Sequence, residues 1–175
     1  MVNKNMNTKE LLTSAPGRLD SNIKSALSIE AAMAAHPFLK DMSPHQCRIL
    51  TDCAIISHFE PGELILNAGE PADRFYLILK GKVVLKSYIK GFGVVPLQTL
   101  GDADVLGWSW LFPPYLWHFD AQAVEPTDII ILDGTSLREE CEADHNFGFE
   151  LIERMSKVII QRLEALRRQK LELNS

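Results

Sequence analysis

Residues 69–85, GEPADRFYLILKGKVVL, constrain the fold more than any other stretch of this chain. Gly69 and Pro71 punctuate a loop. Residues 75–79 are rich in aromatic and branched side chains, as a buried strand is. Gly81 stands where a tight reversal is needed, and Val83 resumes the strand. The pattern predicts an antiparallel hairpin, and it is not isolated. Strands are expected over 54–60, 63–67, 75–80, 83–89, 94–99, 117–124 and 127–132, separated by Pro61-Gly62, Ala68-Gly69, Gly81, Gly91 to Gly93 and Gly101-Asp102. Many short strands at regular spacing with glycine turns predict a β-sandwich or a barrel, and Gly62 and Gly69 fit the turn positions of a jelly-roll-like barrel.

Helical patterns flank the strands. Residues 29–35 are alanine-rich, Pro37 interrupts them, and Ser43-Pro44 has the form of an N-cap and a first-turn proline. Thr135 and Ser136 are placed to cap a short helix over 137–143. A long helix is expected over 147–173. Its apolar positions Ile152, Met155, Ile159, Leu163 and Leu166 recur at steps of three and four, and Glu153, Lys157, Gln161, Glu164 and Arg168 occupy another face. Such a helix extends about 40 Å, more than a small barrel covers. Pairing with a second copy through a coiled-coil-like stripe satisfies it; folding back on its own domain is the alternative. Residues 1–28 are polar and read as an arm, mobile or partner-binding, with one short helix around 9–12. The expected organisation is therefore an arm (1–28), helices and barrel (29–146) and a dimerisation helix (147–175), in the α+β class.

Composition removes several function classes. The net charge of −5 argues against a freestanding DNA-binding surface. Three cysteines, Cys47, Cys53 and Cys141, form no C-x-x-C pair, which points to a reduced cytoplasmic compartment without disulfides or zinc. No apolar stretch approaches the roughly 20 residues of a membrane span, and the N-terminus lacks the apolar core of a signal peptide. Ser109 lacks a nucleophile-elbow setting, the histidines form no metal spacing, and Asp144-His145 reads as a helix-start cap. No enzyme is expected.

The residues of the hairpin go further than its shape. Gly69-Glu70, Ala72-Asp73, Tyr76 two residues after Arg74, and Gly81-Lys82-Val83 resemble the cyclic nucleotide-binding domain superfamily. Pro61-Gly62, Leu100-Gly101-Asp102, Leu106-Gly107 and residues 124–128 support the resemblance, which covers roughly 36–170. It implies a barrel of about eight antiparallel strands, N-terminal helices and a long C-terminal helix, as in a Crp/Fnr-like sensor domain without the helix-turn-helix. It also implies a phosphate-binding cassette: Gly-Glu, a short helix, then an arginine ten residues after the glycine. The glutamate accepts the ribose hydroxyl, and the arginine pairs with the cyclic phosphate.

Here the cassette reads GWSWLFPPYLWHFDAQA. Gly107 matches. Trp108 stands at the glutamate, Trp117 at the arginine, and His118 follows. Arg74, in the hairpin turn, is the only arginine between residues 63 and 137. A buried phosphate without a cation is costly, so cyclic AMP held in the family's usual way is not expected; a protonated His118 would supply a partial substitute. All three tryptophans of the chain lie in these residues, beside Tyr115 and Phe119. Either the rings fill the emptied pocket, or they form a platform that stacks a flat ligand such as a nucleotide base or nicotinamide. Gly107, Trp108, Ser109, Trp110, Trp117 and His118 are the residues expected to line any site. The first function expected is a stand-alone, homodimeric regulatory or ligand-sensing module. The second is an accessory subunit of a larger NAD(P)-dependent oxidoreductase complex, such as a soluble NAD-reducing hydrogenase. The third is a Crp/Fnr-type transcription regulator cut before its DNA-binding domain; as the chain stands, ending at Ser175, no DNA binding is expected.

Overall fold

The computed structural model describes residues 29–173; the expected polar arm with its helix around 9–12 lies outside them. The described residues fall into two compact units, through Leu137 and from Arg138 onward.

The first unit opens with helix α1 (Ile29–Ala35), a 3-10 turn (Pro37–Leu39) and helix α2 (Pro44–Asp52). Ser43 caps α2 as the sequence predicts, through a reciprocal box. Its hydroxyl accepts from the Gln46 amide at 3.2 Å, and its own amide donates to Gln46 Oε1 at 3.0 Å. The 3-10 turn is capped by His36, whose Nδ1 accepts from the Phe38 amide at 3.2 Å. The proton of the neutral ring therefore sits on Nε2, which is buried and has no hydrogen-bond partner among the described residues. The backbone of Ile78 and of Asp104, and the Asp104 charge, favour the charged ring. Burial outweighs them and lowers the pKa below 6.5.

Eight strands follow: β1 (Ala54–Phe59), β2 (Leu64–Leu66), β3 (Arg74–Lys80), β4 (Val83–Ile89), β5 (Gly93–Leu100), β6 (Val105–Leu106), β7 (Asp120–Ala123) and β8 (Thr127–Asp133). They form two antiparallel sheets, ordered β1-β8-β3-β6 and β2-β7-β4-β5. Inward side chains of both meet in one core: Phe59, Tyr76, Ile78, Leu85, Ile129 and Ile131 are among its members, and Trp117 is another. The opposite face of β3 is buried too. Phe75 meets Phe38 edge-on at 5.3 Å and Trp110 at 5.6 Å between ring centroids. That double coverage explains why β3 and β8 read as continuous apolar runs rather than as alternating strands.

The β3–β4 turn requires Gly81. Its φ is +121°, and a Cβ there would lie 2.6 Å from Thr127 Cα and 2.7 Å from the Pro126 carbonyl oxygen. Its amide donates to Asp102 Oδ1 at 2.8 Å, tying the turn to the loop before β6.

Two local expectations differ from the structure. The strand expected from residue 117 begins at Asp120, because residues 115–117 pair instead with the loop after β2. The cap of helix α3 (Gly134–Ala143) is Asp133 rather than Thr135 or Ser136: its Oδ1 accepts from the amides of Thr135 at 2.9 Å and Ser136 at 3.2 Å.

In the second unit, helix α4 (His145–Leu173) starts on Asp144, whose Oδ1 accepts from the amides of Asn146 and Phe147. Gly148 lets α4 approach α3 closely: a Cβ there would stand 3.1 Å from that of Cys141. Phe147, Leu151 and Met155 are buried, while Phe149, Ile152, Ile160, Leu163 and Leu166 form a second, exposed apolar series. Glu150–Arg154 (2.6 Å) and Glu153–Lys157 (2.8 Å) are i,i+4 ion pairs along the helix.

Candidate ligand pocket

The cassette leaves β6 at Gly107, in the left-handed region at φ +80°. Here the constraint comes from a side chain. A Cβ on Gly107 would stand 2.8 Å from Cη2 and Cζ3 of the Trp117 indole and 3.5 Å from the Tyr76 ring. The indole lies across the glycine and belongs to the barrel core, with only 5% of the residue exposed. Tyr76 meets it at 6.2 Å between ring centroids. Burial raises the pKa of the Tyr76 hydroxyl; the neighbouring Arg74 guanidinium opposes that shift.

Backbone pairing aims Trp117 inward. Its amide donates to the Glu70 carbonyl at 2.9 Å, and its carbonyl accepts from the Gly69 amide at 2.8 Å. The Ala72 amide donates to the Tyr115 carbonyl at 2.7 Å, and Pro71 bridges Leu116. The cassette is thus stitched along the loop that opens the hairpin motif, and extended alternation turns Trp117 in while Leu116 and His118 face solvent.

The other expected site residues separate into two environments. Trp110 is fully buried against Phe75. Ser109, in the 3-10 turn Ser109–Leu111, is buried, and its hydroxyl has no hydrogen-bond partner among the described residues. Trp108 is half-buried and packs edge-on against Phe119 at 6.1 Å. His118 is exposed. Gly107, Trp117 and Tyr76 are therefore together, Trp108 and Phe119 form a separate ring pair, and His118 does not point inward with Trp117. Tyr76 joins this cluster without having been among the expected site residues; its alternation with Ile78 in the hairpin strand was the available signal.

Cation chemistry is sparse. Arg74 has a side chain 16% exposed and stands 3.8 Å from Asp73 Oδ1. Among the described residues no group of three or more His, Cys, Asp or Glu side chains is placed to hold a metal ion, and no helix is long and apolar enough to cross a membrane. The Cys141 thiol is pushed up to about 11, first by burial and then by Glu140, Asp144 and Glu142, so it is protonated and a poor nucleophile at neutral pH.

Comparison with known proteins places this geometry. The family described as the cyclic nucleotide-binding domain matches residues 56–144, just over half of the chain. A cAMP-dependent protein kinase regulatory subunit of Dictyostelium discoideum is 33% identical over 67 residues, 38% of this chain and 20% of the relative, so the match spans about a fifth of that protein. A cyclic nucleotide-binding protein from Geobacter metallireducens GS-15 superposes with a TM-score of 0.70 at 21% identity, covering 78% of this chain and 99% of its own. The regulatory subunit of a cAMP-independent protein kinase A from Trypanosoma brucei, solved with cAMP as a variant of three substitutions, one of them threonine to arginine, superposes with a TM-score of 0.64 at 22% identity, covering 79% and 48%. The family match, the two-sheet barrel and the cassette that follows Leu106 agree: this chain belongs to the cyclic nucleotide-binding domain family.

Proposed function

We propose that this chain is a non-catalytic regulatory module whose nucleotide pocket is occupied by its own Trp117, and that it does not take cyclic AMP in the family's usual way. One observation carries the reading: the side chain at the position of the expected arginine is an indole packed across Gly107 in the barrel core. An apolar ring there offers a cyclic phosphate no countercharge and leaves little room for a ribose. With Trp108 in place of the glutamate, both polar anchors are absent. The Trypanosoma variant supports the logic, since that cAMP-independent subunit is found with cAMP after substitutions that include an introduced arginine. The module acts as a homodimer through the exposed apolar series of α4, in a reducing cytoplasm that suits the free thiols Cys47, Cys53 and Cys141.

Thermal unfolding with millimolar cyclic AMP tests this. The wild type shows no shift in midpoint; a shift overturns the reading. Trp117→Arg with Trp108→Glu gains cyclic AMP-dependent stabilisation, about 2.7 kcal/mol when the ligand stands at 100 times its dissociation constant.

A second reading rests on Trp108 and Phe119. This ring pair is only half-buried and suits the stacking of a base or nicotinamide beside Gly107, Ser109 and His118. It fits an accessory subunit of an NAD(P)-dependent oxidoreductase such as a soluble NAD-reducing hydrogenase. Stabilisation by NADH or NADPH that is lost in Trp108→Ala supports this reading, and the absence of stabilisation by either dinucleotide removes it.

A further inference from the structure

The rings of Trp108 and Phe119 meet at 6.1 Å between centroids, with their planes 74° apart. Both residues are half-buried, so the pair lies where the cassette meets solvent. Two rings set near a right angle form the walls of a corner. The face of each ring carries the negative pole of its quadrupole, so a corner of this kind attracts a positive charge laid against it.

The charges nearby have the same preference. Residues 91–137, which hold the whole cassette, contain no lysine and no arginine. The one histidine among them, His118, is exposed. Three carboxylates sit on segments fastened to the cassette. Asp120 directly follows Phe119, and its Oδ1 accepts from the Ala68 amide at 2.8 Å. The Glu70 carbonyl accepts from the Trp117 amide, and Asp73 follows Ala72, whose amide donates to the Tyr115 carbonyl. Two cations stand among them, each with a partner. Arg74 is 3.8 Å from Asp73 Oδ1 and lies beside the Tyr76 hydroxyl. Lys86, across the ladder from Asp120, donates to the Gln122 side chain. Carboxylates remain in excess. We propose that Trp108 and Phe119 form a site for a flat organic cation, a pyridinium or similar N-alkylated aromatic ring, where the family resemblance implies an anion. The inference rests on the stacking reading given second above and adds the sign of the ligand's charge. A neutral ring gains stacking alone. A cationic ring of the same shape gains the ring faces and the carboxylates as well, and an anionic ring is repelled by both.

Three probes share one ring and differ in charge: 1-methylnicotinamide is a cation, nicotinamide is neutral, and nicotinate is an anion. Each is titrated at about pH 8 into the full nitrogen-15-labelled chain, and the three indole N–H resonances are followed in the NMR spectrum, with that of Trp108 assigned from Trp108→Phe. The expected result is a Trp108 shift that saturates with 1-methylnicotinamide at a dissociation constant about fivefold below that of nicotinamide, and no saturation with nicotinate. Trp108→Leu removes the difference between cation and neutral ring, and Phe119→Leu reduces it, in variants whose amide spectra stay dispersed. Equal dissociation constants, or tighter binding of nicotinate, overturn the charge preference and leave the stacking reading standing. A preference kept in Trp108→Leu puts the cation elsewhere and overturns the site; if that variant does not fold, a preference unchanged in Phe119→Leu does the same. No shift with any probe overturns the inference, and the stacking reading then stands or falls on the dinucleotides alone.

Discussion

Gly81 and Gly107 both turn the chain at positive φ, and each has a neighbour standing where a Cβ would go. The neighbours differ in kind. At Gly81 they are the Thr127 hydroxyl oxygen and, beside it, backbone atoms of Thr127 and Pro126, which belong to the barrel frame and have nowhere to move. At Gly107 they are the outer carbons of one indole. The hairpin is therefore a fit of main chain to main chain, which any sequence adopting this barrel must respect. The pocket is a fit of main chain to one side chain, and a single substitution can undo it. The scaffold and the site of this molecule are specified at different levels.

Substitutions can break or sharpen that contrast. Gly81→Ala meets an immovable backbone in a conformation alanine rarely adopts and costs about 4 kcal/mol or more; denaturant unfolding measures it, and a loss under 1 kcal/mol removes the backbone argument. Trp117→Ala empties a core site and costs about 3–4 kcal/mol by the same measurement; near-neutrality shows that the indole does not fill the barrel. Gly107→Ala alone costs about 2–3 kcal/mol, combining positive-φ strain with the indole collision. In the Trp117→Ala background the collision is gone, so the two changes couple by about 1–2 kcal/mol. Strict additivity would place Gly107 in the same class as Gly81. The smallest effect is a pH dependence. Burial holds the folded pKa of His36 below 6.5. The unfolded chain therefore takes up the proton first, and the stability that the neutral ring contributes is complete above pH 6.5 and lost as pH falls through the folded value. The unfolding midpoint drops between pH 7.5 and 5.5, and less so in His36→Asn, which keeps a capping acceptor. Equal slopes in the two proteins exclude His36 as the source.

The same contrast governs what was legible in the sequence. The hairpin, the Ser43 cap and the long helix follow from local rules of periodicity and capping, and they appear where those rules place them. Strand β6 is only two residues long and takes its identity from pairing with Tyr76 and Leu77, so no local pattern marked it. Trp117 carries a strand-like signal, yet its partners are Gly69 and Glu70, far away in sequence, and the ladder starts three residues later. That Trp108 and Trp117 stand where the resemblance implies a glutamate and an arginine was visible in the sequence. Which ring would pack against Gly107 was not, because that depends on the left-handed turn at Gly107 and on the stitching of residues 115–117 to the hairpin loop. Asp133 takes the capping role of Thr135 and Ser136 because it ends a buried strand with its carboxylate at the helix start, a placement that only the register with β3 provides.

The chain has three tryptophans, and all of them lie in the cassette. One consequence is optical. The indole absorption and emission of the whole protein arise from a single ten-residue segment, with Trp110 sealed from water, Trp117 nearly so, and Trp108 at the boundary. A quencher in solution reaches Trp108 first. A red shift that recruits Trp117 while the barrel stays folded would be the light signature of a plug leaving its socket. The protein thus carries its own spectroscopic label inside the cassette.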